Sequence, residues 1–114
     1  MKRVSIDTTY RVAQGTVRLS ITIGDAQIGG SVVHLGDREL AIGDISNLTI
    51  GTGSALKGQT LSIKSVVTDT NDATNRTSVS YRLTGGKTDQ SFSQTATVDE
   101  DGDSVVYRAT VSLT

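Results

Sequence analysis

Ten aspartates and two glutamates are the side chains of this 114-residue sequence best suited to chemistry, and they are unevenly spaced. Asp69 and Asp72 fall in one polar stretch, and Asp99-Glu100-Asp101-Gly102-Asp103 form another. Crowded carboxylates repel one another, and a hard cation that takes roughly six to eight oxygen ligands relieves that repulsion. The chemistry this spacing suggests is Ca²⁺ ligation by Asp69, Asp72, Asp99, Asp101 and Asp103, with Asn71 as a neutral oxygen donor. The second run is not an EF-hand loop, because its Gly is misplaced and Thr110 stands where the bidentate Glu would be. The competing explanation is ordinary: Asp-Gly closes hairpins, and acidic loop tips deter edge pairing.

Catalysis has little to work with. His34 is the only histidine, and it sits between Val33 and Leu35 in a strand-like run, an ordinary strand position rather than that of a general base. Glu39 and Glu100 are the only glutamates, and neither sits in the apolar setting that a catalytic carboxyl acid uses. Gly53-Ser54-Ala55-Leu56-Lys57-Gly58-Gln59-Thr60 nearly matches a phosphate-binding loop, but Gln59 replaces the Lys that grips phosphate. The residues that follow, Leu61 to Val67, alternate like a strand instead of opening a helix. The expectation is a protein that is not an enzyme.

The elements that must position these residues are strands. Val4, Ile6, Thr8, Tyr10 and Val12 alternate with polar residues, and after Gln14-Gly15 the apolar parity shifts to Val17, Leu19, Ile21 and Ile23. That pattern predicts a hairpin pairing Val12 with Val17 and Tyr10 with Leu19. Further strands are expected at about 27–35, with a bulge or bend at Gly29-Gly30, and at 39–42 and 45–50. A glycine-rich loop spans Gly51 to Gly58. Four more apolar faces follow: Leu61, Ile63 and Val67; Val79, Tyr81 and Leu83; Phe92, Ala96 and Val98; and Val105, Tyr107, Ala109, Val111 and Leu113.

No segment holds a helical apolar period, and Thr (17), Ser (13), Val (12) and Ile (8) dominate the composition. The fold expected is all-β: one domain over 1–114, an antiparallel two-sheet sandwich of about eight or nine short strands, with a small barrel as the alternative. The likeness is to an immunoglobulin-like or C2-like sandwich in shape only, since the Cys, Trp, Cys pattern of antibody domains is missing.

Two constellations follow from that layout. If each strand crosses the domain once, Asp25, Asp44, the stretch 69–76 and the stretch 99–103 share one end, an acidic rim. The predicted hairpin also sets Arg11 opposite Arg18 on its outer face. Like charges so placed cost stability, so the pair calls for an acidic neighbour strand or for a partner's carboxylate or phosphate.

Composition removes several classes of function. There is no Cys, hence neither a disulfide framework nor a thiolate metal site. A net charge of −1 without a Lys or Arg cluster, and four aromatics that all point inward, argue against nucleic acid as a partner. No stretch suits membrane insertion, and Met1 to Asp7 lack a secretory apolar segment, so the compartment leans to the cytoplasm. Pro is absent, although average usage would give about five or six. One common guard against edge pairing is therefore missing. The functional expectation is contact with a protein partner or self-association, as a structural or adaptor subunit. The alternative is a Ca²⁺-dependent ligand-binding module built on the acidic rim.

Overall fold

A computed structural model describes residues 1–114 and resolves nine strands: β1 (Lys2–Tyr10), β2 (Thr16–Ile23), β3 (Ile28–Leu35), β4 (Arg38–Gly43), β5 (Leu48–Thr52), β6 (Thr60–Thr68), β7 (Arg76–Thr84), β8 (Gln90–Thr97) and β9 (Ser104–Leu113). One helical turn, α1 (Gly53–Leu56), precedes β6. The strands form a five-stranded sheet in the order β1-β9-β6-β3-β4 and a four-stranded sheet in the order β5-β2-β7-β8. Both sheets are open, so the chain is a sandwich and not a barrel.

Period-two alternation explains the packing. Val17 and Leu19 of β2 and Val79, Tyr81 and Leu83 of β7 point inward from one sheet. Leu61, Ile63 and Val67 of β6 and Val105, Tyr107, Ala109, Val111 and Leu113 of β9 meet them from the other, within one cluster of 20 buried residues. Each aliphatic side chain fully buried there contributes about 1.5–3 kcal/mol. Leu56, at the end of α1, plugs the same core. Tyr81 and Phe92 are direct cross-strand partners, with ring centroids 4.7 Å apart and planes inclined by 16°.

The predicted first hairpin does not form. β1 runs parallel to β9, with Tyr10 beside Leu113, while β2 lies in the other sheet with Leu19 opposite Leu83. A parity shift across Gln14-Gly15 arises equally when a chain crosses between facing sheets, because both apolar faces still point at one core. The crossing is held by long-range bonds: Val12 N donates to Thr114 O (2.9 Å) and Gly53 N to Gly15 O (2.9 Å). A Cβ on Gly53 would fall 1.6 Å from the Ala13 carbonyl oxygen, so only glycine fits there.

Gly29 and Gly30 do not form a bulge either. They stay in register with Val67 and Val66 of β6, and the irregularity in β3 falls at Val33/His34 against β4. Gly29 serves close approach instead: a Cβ would lie 2.8 Å from the Val66 carbonyl oxygen.

Candidate functional site

The acidic end is built by three loops, each leaving a strand whose register is fixed by the core. Asp25 and Gln27 follow β2, residues 69–75 follow β6, and residues 98–103 follow β8. Backbone bonds join them: Asp69 N donates to Asp103 O (2.9 Å), Gly102 N to Asp69 O (2.9 Å) and Val98 N to Asn75 O (2.9 Å).

Asp69 is the centre, only 1% exposed. Gln27 Nε2 donates to its Oδ1 at 2.8 Å. The Asn75 amide, with nitrogen toward the carboxylates, donates to Asp69 Oδ2 at 2.9 Å and to Asp101 Oδ1 at 2.8 Å. Gln27 also donates to Arg76 O (2.9 Å), while its Oε1 accepts from Thr70 N (2.7 Å) and Asn71 N (2.9 Å). Two carboxamides thus carry the polar wiring of this end, and a buried carboxylate is tolerable only with such donors.

The other predicted ligands are spread out. Asp103 Oδ2 accepts from Glu100 N at 3.3 Å. Asp72 and Asp99 are exposed. Asn71 turns away from the carboxylates, its Nδ2 donating to Asp25 O (2.9 Å). Arg76 Nε stands 3.5 Å from Asp25 Oδ2. Asp69 and Asp101 are therefore brought together through Asn75, whereas Asp72 and Asp99 are not, and no group of three or more acidic or imidazole side chains is disposed to hold a metal ion. Gln27 and Asn75 carry no sequence signal of their own. The nearest hint is that Gln27 interrupts an otherwise apolar strand start.

Arg11 and Arg18 do not face each other, because the hairpin that would pair them is absent. Arg18 lies between Thr84 of β7 and Thr49 of β5. Arg11 lies in the crossing segment, where it borders a hollow with Lys57, Lys87 and Thr114 at the end opposite the acidic rim.

A second region lies along the five-stranded sheet. β4 is an edge strand, paired only with β3. Its charges, Arg38 and Glu39, stand at one end, while Leu40 to Gly43 are uncharged. Ile42 is 67% exposed, and Ile28 on β3 is 66% exposed. Beside them the sandwich gapes between β2 and β3, in a groove bordered by Ile21, Ile23, Ile28 and Ile45.

The tyrosine hydroxyls stay inside. Burial raises the pKa of Tyr10, Tyr81 and Tyr107, and hydrogen bonds from Gly86, Gln94 and Thr77 respectively oppose the rise. Tyr10 Oη donates to Thr88 O at 2.8 Å and accepts from Gly86 N at 2.9 Å. They tie the two sheets together and line no open groove.

Fold and surface define a non-barrel all-β sandwich with one acidic end and four edge strands, β1, β4, β5 and β8, of which β4 carries the exposed Ile42. No helix is long and apolar enough to cross a membrane. Comparison with protein-family models, with curated proteins and with solved structures finds no match in any of the three.

Proposed function

We propose that this protein works without catalysis, through protein contact, as a small structural or adaptor subunit that associates through the β4 edge of its larger sheet. The observation that carries the reading is Ile42: a large aliphatic side chain, 67% exposed, on an edge strand with no Pro and no charge over Leu40 to Gly43. Edge strands of lone proteins are usually blunted by charge, Pro or cover. An unpaired edge takes an additional strand through its main chain, and exposed apolar side chains add specificity. The test is light scattering across protein concentration, for wild type and Ile42→Lys. Concentration-dependent association that the substitution weakens supports the reading.

A second reading, Ca²⁺ binding at the acidic end, has one observation in its favour. Asn75 lies between Asp69 Oδ2 and Asp101 Oδ1 at hydrogen-bond distance from both. With the amide turned over, three oxygens would face one another, and a cation would be required to hold them. Melting in Ca²⁺ against chelator separates the two amide orientations.

A further inference from the structure

The outer face of the larger sheet holds a like-charge pair that is remote in sequence. Lys64 of β6 stands directly opposite Arg108 of β9, with Val32 of β3 on the other side of Lys64. Two residues along each strand, on the same face, the same three strands present His34, Ser62 and Thr110 in a row. These side chains line a shallow hollow of about 360 Å³ whose floor is formed by the Ile63 and Ala109 segments. Ile63 and Ala109 themselves point into the core, and Ser62 and Thr110 are small, so the face dips between the two cations and His34.

Neither cation makes an ion pair within the molecule. Its two ion pairs are Arg76 with Asp25 and Arg82 with Asp89. The nearest acids in the hydroxyl row, Asp7 beside Thr110 and Glu39 beside His34, sit on the flanking strands β1 and β4. They stand at the two margins of the hydroxyl row, and their repulsion restricts an anion to the end of the hollow occupied by Lys64 and Arg108. Directly opposed like charges are unfavourable on a sheet, and here they occupy central strands, where backbone pairing on both sides holds them rigidly.

We propose that this hollow is an oxyanion site for a phosphate-bearing small molecule. Phosphate carries a charge of about −1.5 to −2 and three acceptor oxygens, which matches two cations and an adjacent pair of hydroxyl donors. A carboxylate, with one charge and two oxygens, would leave one cation unneutralised. Arg108 supplies planar paired donors, Lys64 a mobile point charge, and Ser62 and Thr110 donate to the remaining oxygen. The site lies on β6 and β9, with Val32 of β3 between Lys64 and Ile42 of the β4 edge, and its phosphate contacts do not include β4.

The test is a titration of the whole ¹⁵N-labelled chain with sodium phosphate, against sodium chloride at equal ionic strength and against sodium acetate, following backbone amide shifts. Saturable changes centred on Ser62, Lys64, Arg108 and Thr110 with phosphate, not reproduced by chloride and weaker with acetate, are expected. Lys64→Gln and Arg108→Gln should each weaken phosphate binding about tenfold, the factor expected of one lost charge-assisted hydrogen bond. Both positions face solvent, so both variants should keep the wild-type spectrum elsewhere. Non-saturating shifts, equal response to chloride, or unchanged binding in both variants would overturn the proposal, and a variant with a globally altered spectrum is replaced by Lys64→Met or Arg108→Met under the same criteria.

Discussion

Lys64 and Arg108 are cross-strand neighbours on the open face of the larger sheet, and no carboxylate forms an ion pair with either. Repulsion between like charges directly opposed on a sheet is unfavourable, and for these two no ion pair relieves it.

Relieving it should stabilise the protein. Lys64→Thr removes the clash and places a β-branched residue in a central strand. The expected gain is about 0.5–1 kcal/mol in phosphate-free buffer, read as a thermal midpoint higher by roughly 3–6 °C. An unchanged or lower midpoint would show that the two charges do not oppose each other.

Gln27→Ala should do the reverse. The side chain holds Asp69 Oδ1, Arg76 O and the amides of Thr70 and Asn71, and its loss leaves a buried carboxylate short of a donor. Hydrogen bonds to charged groups contribute about 1.5–3 kcal/mol each, so a loss of about 3 kcal/mol is expected in urea melts. Hydrogen exchange should quicken at Thr70 and Asn71 before it does in the β6 and β9 strands.

High pH should unfold the protein through its tyrosines. Burial raises the pKa of Tyr10, Tyr81 and Tyr107 above the ordinary value of 10.0. The unfolded chain therefore releases these protons at lower pH than the folded one. Their contribution is whole below about pH 10 and declines as pH climbs through the folded-state values. Midpoints should be level up to about pH 10 and fall as pH rises beyond it. In a Tyr10→Phe, Tyr107→Phe double variant the fall should be shallower, and an equal fall would assign it to other groups.

The Ca²⁺ reading makes its own demand. Binding at about 100 times Kd adds about 2.7 kcal/mol, a rise on the order of 10 °C for a domain of this size. Asp101→Asn should abolish that rise. If Asn75 instead donates to both aspartates, Ca²⁺ and chelator give the same midpoint, and that result removes the reading.

Strand periodicity was legible because it is local. The alternation of Val79, Tyr81 and Leu83, or of Leu61, Ile63 and Val67, names the buried face without knowledge of any neighbour. Pairing is not local. The parity shift between Val12 and Val17 fits a hairpin and a sheet-to-sheet crossing alike, and only contacts with Thr114 and Gly53 decide between them. The Arg11 and Arg18 pairing failed with that hairpin, while the opposed cations of β6 and β9 could not be seen until those strands were placed side by side. The acidic loops do meet at Asp69, Asn75 and Asp101. Their wiring through Gln27 was hidden because a carboxamide in a loop reads the same whether it is buried or solvated.

Association through β4 is the claim on which the functional account rests, and multi-angle light scattering across a concentration series tests it most directly. The account predicts a mass that rises above the 12.0 kDa chain mass as concentration increases, and a return toward that mass in Ile42→Lys. A wild-type mass fixed at that of one chain throughout the series, or association untouched by the substitution, would contradict it.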